Sequence, residues 1–191
     1  MPNTLPDALI FDLDGTLADT MPVHFEIWQA ILEPLGLDFP EPRFYQCGGM
    51  PTQKIVEMLC QEQGMEIDPH AVAAQKSAAF FEHVGSIKPI EPIVAIAREY
   101  HGKIPMAIAT GGGRKAAEAT ARQIGVHHLF EGLVTADDVT HHKPHPETFL
   151  RAAELLGVTA DNCRAYEDTQ TGIAAARAAG MEVVDVREVL R

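Results

Sequence analysis

The chain has 191 residues, of which 46% are apolar, enough for one folded domain, or one domain with an insertion, around a substantial core. Its formal net charge of −12 argues against nucleic acid as a main partner and requires any phosphate site to be locally positive. No apolar run is long enough to span a bilayer, so we expect no membrane partner.

The N-terminal segment and the cysteines predict a cytoplasmic protein. Residues 1–10, MPNTLPDALI, lack the basic start and the apolar stretch of a secretory signal. Cys47, Cys60 and Cys163 are odd in number and show no C-x-x-C spacing, which is unlike a disulfide scaffold or a zinc site. We therefore expect reduced thiols in the cytoplasm. No feature of the sequence indicates an oligomeric state.

Five short apolar runs predict β-strands. They are rich in Val, Ile and Ala and do not alternate with polar residues, which is typical of strands covered on both faces. The predicted strands are 8–13, 106–110, 133–135, 164–167 and 183–186. The last four are separated by helical patterns over 114–124, 145–156 and 171–179. Alternating strands and helices indicate an α/β fold built on a parallel sheet.

The connection between the first two strands is too long for a simple crossover, and its pattern is helical. A first helix would be capped by Thr20, a second would begin near Pro51, and a third would be capped by Asp68. The predicted domains are therefore a helical subdomain over 18–86 and a core made of 1–17 and 87–191.

Polar residues follow four of the predicted strands at their carboxyl ends, where open parallel sheets bind ligands. They are Asp12 and Asp14, then Thr110 and Gly111, then Lys143 in the turn after the third strand, and finally Glu167 and Asp168. Asp12 and Asp14 raise a question, because two unit charges ~4 Å apart repel by about 4 kcal/mol at an effective dielectric of 20. Such a pair persists only where a cation binds or where the chemistry needs both carboxylates.

Four motifs in order resemble those of the haloacid dehalogenase-like hydrolases. DLDGT fits the family's D-x-D-G-[TV] motif, AIAT the second motif, and the lysine of HHKPHP the third. YEDTQTGIAAARAAGM fits the fourth, with its acidic pair and following helix. The match covers nearly the whole chain, and the helical insertion is similar to the cap of the β-phosphoglucomutase-like subgroup. The resemblance implies a Rossmann-like parallel sheet core flanked by helices, with an inserted all-α cap.

This resemblance implies roles for the acidic residues. Asp12 would be the nucleophile that forms an aspartyl-phosphate, and Asp14 would be the general acid and base. Mg²⁺ would be the cofactor, held by Asp12, Asp168 and the backbone carbonyl of Asp14. Glu167 would be a direct ligand or a support behind the ligands. The ion would offset the repulsion among the carboxylates and the phosphate.

Thr110, Gly111 and Lys143 would bind the phosphate. Thr110 supplies a hydroxyl donor, and the glycines at 111–113 would expose backbone N–H groups at a helix start. The TGGGR stretch could also be a dinucleotide-binding loop, but its spacing is not G-x-G-x-x-G. Lys143 alone would be an ordinary surface charge, and only its position among the motifs assigns it to the phosphate.

The histidines divide into two groups. HHKPH suggests a metal cluster, but catalytic zinc needs three convergent ligands and an open position. We therefore expect His141, His142 and His145 to be loop and helix-start residues. His24 opens the first helix of the insertion, and the resemblance implies that it supports the general acid.

The turn at 47–53, CGGMPTQ, should face the site, so Gly49 and Thr52 join His24 as candidate substrate contacts. In the β-phosphoglucomutase pattern a basic residue grips a second phosphate at the place of Thr52, and threonine carries no charge. We therefore expect a phosphatase whose partner is a small phosphorylated metabolite. The resemblance favours a sugar monophosphate of the fructose 1-phosphate or 6-phosphogluconate type.

Other interpretations stay open. The first is a sugar phosphomutase of the β-phosphoglucomutase type. The second is a non-enzymatic phospho-Asp signalling domain, although such domains lack the long helical insertion and the acid/base role of Asp14. A dehalogenase would lack the second aspartate of the first motif, which is present here as Asp14, so this interpretation is disfavoured. A phosphonatase would need a cap lysine for a Schiff base, and Lys54 stands in an unusual motif context.

Overall fold

The structure, a computed structural model, describes residues 5–48 and 50–191. Its strands are β1 (Ala8–Phe11), β2 (Ala18–Asp19), β3 (Lys88–Pro89), β4 (Met106–Ala109), β5 (Gly132–Val134), β6 (Cys163–Glu167) and β7 (Glu182–Asp185). A parallel sheet has the order β5-β4-β1-β6-β7, and β2 and β3 form a separate antiparallel ribbon. The five predicted strands and the α/β class are thereby confirmed.

Strand β1 lies at the centre of the sheet and is covered on both faces. Ile10 is aligned with Ala107 of β4 on one side and with Ala165 of β6 on the other. Leu9 and Phe11 point into one apolar cluster, whereas Ile10 points into a second cluster on the opposite face. A strand with two buried faces needs no polar alternation, which explains its continuous apolar sequence.

The chain leaves β1 two residues earlier than predicted, after Phe11. The backbone N–H of Asp12 still donates to the carbonyl of Tyr166 at 2.9 Å. Gly15 then adopts a φ of 87°, a left-handed conformation that glycine takes at little cost. Asp12 and Asp14 therefore lie in a sharp turn at the carboxyl end of the central strand β1.

Some helices flank this sheet, and others lie in the segment inserted between β2 and β3. They are α1 (Met21–Leu32), α2 (Glu41–Gln46), α3 (Thr52–Gln63), α4 (Pro69–His83), α5 (Glu91–Tyr100), α6 (Arg114–Gln123), α7 (Glu147–Leu156), α8 (Gln170–Ala178) and α9 (Val186–Val189). Helices α6, α7 and α8 confirm the three predicted core helices, whereas α2, α5 and α9 were not predicted. No helix in the described part of the chain combines the length and apolarity needed to cross a membrane.

Helices α1 to α4 follow β2 and precede β3. Asp68 caps α4, since its side chain accepts from the His70 N–H at 2.9 Å. Thr20 is the N-cap residue of α1, as predicted, but its buried hydroxyl makes no capping hydrogen bond to that helix. The ribbon brings the two connecting segments together, with Ala18 opposite Pro89. The domain boundaries at 18–86 stay a prediction.

Candidate active site

A cavity of about 430 Å³ lies between the carboxyl ends of the parallel strands and the inserted helices. From the sheet side it is lined by Asp12, Asp14, Thr110, Gly111, Lys143 and Glu167. From the inserted helices it is lined by His24, Trp28, Phe44, Thr52, Lys76 and Phe80. The structure therefore brings most of the predicted site residues to one place. Gly49 lies outside the described residues.

Lys143 joins two carboxylates at the floor of this cavity. Its Nζ donates to Asp12 Oδ1 and to Glu167 Oε2, each at 2.7 Å, and all three side chains are buried. Burial alone would lower the pKa of Lys143, but the two carboxylates outweigh it and raise the pKa. Lys143 is thus a fixed positive charge, which supplies the locally positive point that an acidic protein needs for phosphate.

Glu167 has hydrogen-bond donors on both carboxylate oxygens. Its Oε1 accepts from the backbone N–H of Asp168 at 3.0 Å, and from the N–H and hydroxyl of Thr169 at 2.9 and 2.8 Å. Its Oε2 accepts from Lys143. These bonds hold Glu167 as a support behind Lys143, and they favour that role over direct ligation of a metal ion.

Asp12, Glu167 and Asp168 place carboxylate oxygens within 4.8 Å of one another. Burial and the charge of Glu167 raise the pKa of Asp12, and they raise the pKa of Asp168 to about 7. Asp168 is oriented by the Thr16 hydroxyl, which donates to its Oδ1 at 3.0 Å. Asp12 and Asp168 fit a hard divalent cation as ligands, with Glu167 behind them, because the cation would relieve the repulsion among the three carboxylates.

Two glycines let the carboxylates approach the backbone. A Cβ at Gly15 would lie 2.4 Å from Asp168 Oδ2. A Cβ at Gly172, in the first turn of α8, would lie 1.9 Å from Glu167 Oε2. Both distances are far below van der Waals contact, so the positions of Asp168 and Glu167 require glycine at these places.

Asp14 stands between the sheet and the inserted helices. Its Oδ2 accepts from the Thr110 hydroxyl at 3.3 Å, and its Oδ1 lies 3.7 Å from His24 Nε2. Burial raises the pKa of Asp14, but His24 and the charge of Lys76 outweigh it and lower the pKa. Burial and Lys76 lower the pKa of His24. An ionised Asp14 beside a neutral His24 is the state suited to accept a proton.

The glycine loop after β4 offers fewer free donors than predicted. The Gly112 N–H donates to Thr110 Oγ1 at 3.0 Å, and the Arg114 N–H at the start of α6 donates to Asp137 Oδ2 at 2.8 Å. Of the three glycine N–H groups expected to be exposed, that of Gly112 is therefore bonded within the protein. Thr110 and Gly111 still line the cavity.

Lys76 of α4 is a site residue that the sequence did not reveal. Its Nζ lies 3.4 Å from His24 Nδ1 and 5.3 Å from the centre of the Trp28 ring. Burial lowers the pKa of Lys76 to about 8, against the attraction of Asp14. Ala73 and Phe80 line the same cavity, so the helical spacing at 73, 76 and 80 is the signal that places Lys76 there.

Lys54, by contrast, pairs with Glu57 on an exposed surface.

Comparison with known proteins identifies the family. A model of the haloacid dehalogenase-like hydrolases matches residues 9–186. The chain belongs to this family. This hydrolase is 41% identical over 180 residues to the fructose-1-phosphate phosphatase YqaB of Escherichia coli, which covers 94% of this chain and 95% of that protein. The expected family is thereby confirmed.

Two further proteins are similar to this hydrolase. A phosphorylated carbohydrates phosphatase of Thermotoga maritima is 28% identical over 180 residues, covering 92% of this chain and 82% of that protein. A crystal structure of β-phosphoglucomutase from Clostridium difficile has a TM-score of 0.84 at 23% identity, covering 97% of this chain and 88% of that one. The structural likeness shows the fold, and the phosphatase relatives confirm the expected class, a phosphoric monoester hydrolase.

Hydrogen bonds link the turn before α3 to the acidic site. The Thr171 hydroxyl of α8 donates to the Gly48 carbonyl at 3.1 Å and lies 3.3 Å from Thr169 Oγ1. Thr169 in turn donates to Glu167, which holds Lys143. The position of the turn is therefore connected with the position of Lys143 through the side chains of Thr171, Thr169 and Glu167.

We expect Gly172→Ala to displace Glu167, because the added Cβ cannot share space with its carboxylate. Displacement by about 1 Å in such a site costs on the order of a hundredfold in turnover. Steady-state kinetics and thermal unfolding measure the effect. Gly85→Ala is the matched control, since nothing lies within 4 Å of its Cβ position. Equal activity of the two variants would contradict the fixed role of Glu167.

We expect Thr171→Val to raise KM about fivefold, because it removes one hydrogen bond worth about 1 kcal/mol between α8 and the 47–53 turn. Turnover should change less than KM. Thr171→Ser keeps the hydroxyl and should restore the parent KM. A Val variant that is kinetically identical to the parent enzyme would show that this bond does not help to close the site.

Proposed function

We propose that this hydrolase is a Mg²⁺-dependent phosphatase that removes phosphate from a small sugar monophosphate through a phosphorylated Asp12. The observation that carries the proposal is the buried contact of Lys143 with Asp12 and Glu167 at the floor of the cavity between the sheet and the inserted helices. The interaction gives the nucleophile a fixed orientation, and it places a permanent positive charge where the phosphate oxygens would lie.

The reaction would proceed in two displacements. Lys143 holds Oδ1 of Asp12, and the second carboxylate oxygen would attack phosphorus. The bond from phosphorus to the sugar oxygen would break, and Asp14 would give that oxygen a proton. A water molecule would then attack phosphorus and lose its proton to Asp14, while the bond from phosphorus to Asp12 would break, which releases inorganic phosphate and restores the Asp12 carboxylate. The arriving phosphate dianion would raise the pKa of Asp14 and so supply the protonated form that the first step needs.

The residues that would hold Mg²⁺ are Asp12, Asp168 and the backbone carbonyl of Asp14. The ion would neutralise the charge of the phosphoryl oxygens during transfer. Thr16 and Glu167 would orient the ligands, since Thr16 donates to Asp168 and Glu167 anchors Lys143. Carboxylate oxygens are the ligands that this ion prefers.

Residues 18–86 would act as a cap over this site. The side chains that they present to the cavity are mostly apolar, and they include Trp28, Phe44 and Phe80. Apolar walls would limit the water in the cavity while the phosphoryl group passes from the sugar to Asp12. His24 and Lys76 would bind the leaving sugar or would affect proton transfer at Asp14.

The similarity to a fructose-1-phosphate phosphatase favours that class of substrate. A phosphomutase must hold a second phosphate in the cavity. Thr52 lines the cavity and carries no charge. Among the described residues that line the cavity from the inserted helices, Lys76 supplies the positive charge. This charge balance favours hydrolysis of a monophosphate. Membership of the hydrolase family and the cavity lined by the inserted helices also disfavour a signalling domain.

A phosphate-release screen tests this proposal. The enzyme is incubated with Mg²⁺ and phosphorylated metabolites, including fructose 1-phosphate, 6-phosphogluconate and β-glucose 1-phosphate. We expect phosphate release from a sugar monophosphate, abolished by EDTA and absent in Asp12→Asn. Conversion of β-glucose 1-phosphate to glucose 6-phosphate without phosphate release would instead support the phosphomutase.

The pKa of Lys76 predicts a pH effect on substrate binding. A lysine with a pKa of about 8 loses its charge as the pH rises through 8, whereas an ordinary lysine stays charged. KM should therefore rise between pH 7 and pH 9. Lys76→Met should raise KM about tenfold at pH 7 and remove this dependence, since a hydrogen bond to a charged group contributes about 1.5–3 kcal/mol. Lys54→Met is the control, and an identical pH profile in both variants would contradict the role of Lys76.

A further inference from the structure

The loop that carries Lys143 also carries a second group of potential ligands. His141, His145 and Glu147 lie on the exposed side of this loop and at the start of α7, and they place one ligand atom each within 4.8 Å of the others. We call these residues the His-His-Glu cluster. The structure thus provides the three convergent ligands that the sequence did not lead us to expect at HHKPH.

We propose that the His-His-Glu cluster binds a divalent transition-metal ion, Zn²⁺ in the first place, and that the ion clamps the Lys143 loop. Two imidazoles and one carboxylate form a donor set typical of zinc, with one position left for water. Imidazole suits zinc, copper and nickel, whereas carboxylates and water suit magnesium. The cluster and the buried carboxylates around Asp12 therefore differ in the ion that they prefer.

The carboxylate of the cluster is held in place before any ion binds. Glu147 Oε1 accepts from the Thr140 N–H at 3.0 Å, and Oε2 accepts from the His141 N–H at 2.9 Å. These two bonds fix the orientation of the Glu147 carboxylate relative to the His141 backbone. A ligand that is already oriented and ionised loses little freedom when the ion arrives.

Both imidazoles lie near the Glu147 carboxylate. His141 Nδ1 lies 2.9 Å from Glu147 Oε2, where an ion would replace the shared proton. The rings of His141 and His145 have centroids 4.6 Å apart and are tilted by 33°. Both histidines are exposed, which leaves an entry path from solvent. In the free protein His145 Nδ1 accepts only a long bond, 3.3 Å, from the Glu147 N–H.

The position of the cluster gives the ion a consequence for the site. His141 and His145 bracket Lys143, whose Nζ is bonded to Asp12 and Glu167. An ion bound to both histidines and to Glu147 would connect the two ends of this loop with the start of α7. An ion that binds the folded chain and not the unfolded chain raises the unfolding temperature.

The test titrates the full-length protein with Zn²⁺ in the presence of excess Mg²⁺, which occupies the carboxylates around Asp12. Calorimetry gives affinity and stoichiometry, thermal unfolding gives the stabilisation, and the visible absorption of Co²⁺ reports imidazole ligation. The variants are His141→Gln and His145→Gln. His128→Gln, a change at another exposed histidine, is the control, and circular dichroism checks that each variant is folded.

We expect one Zn²⁺ per chain at the cluster, a higher unfolding temperature with Zn²⁺, and affinity at least about tenfold lower in both cluster variants than in the control. The proposal is wrong if Zn²⁺ does not bind, if the two cluster variants bind it like the control, or if rising Mg²⁺ displaces it in competition. None of these readouts depends on phosphatase activity, so they also stand apart from the proposed function.

Discussion

The burial of Lys143 between Asp12 and Glu167 is the constraint on which the arrangement of the site depends. An isolated charge in a dry interior costs several kcal/mol, so each of these three groups needs the others in place. The ion pairs join β1, the loop before α7 and the end of β6. The sheet must therefore hold these segments at fixed separations. It does so through its buried central strand β1, which pairs with β4 and β6.

The same constraint explains features that are remote from each other in sequence. Glu167 is oriented by Thr169 and by backbone N–H groups, and Gly172 leaves room for its carboxylate. Thr171 extends this set of contacts to the turn at Gly48. One side of the cavity is thus a rigid set of charges, whereas the other side consists of aromatic rings and Lys76 on the inserted helices. This division suits an enzyme that keeps one chemistry and selects its substrate with a separate segment.

The sequence predicted the parts of the structure that depend on local pattern. The strand positions and helices α6 to α8 follow from the apolar runs and helical patterns. The meeting of Asp12 with Lys143 follows from the rule that ligands bind at strand ends together with the order of the four motifs. Lys76 and the contact of Thr171 with Gly48 depend on how the inserted helices dock on the sheet, which no local spacing specifies. The N-cap of α1 was predicted from residue type alone, and Thr20 occupies that position, but its buried hydroxyl makes no capping hydrogen bond.

Trapping the phosphorylated enzyme tests the central claim, that Lys143 holds Asp12 as the group that accepts phosphorus. Enzyme turning over a substrate is quenched in acid and reduced with borohydride, which converts an acyl phosphate of aspartate to homoserine. Mass spectrometry of the peptide should find homoserine at position 12 in the parent enzyme and a strongly reduced amount in Lys143→Met. Unmodified Asp12 in every quenched sample, together with continued turnover in Asp12→Asn, would contradict the account.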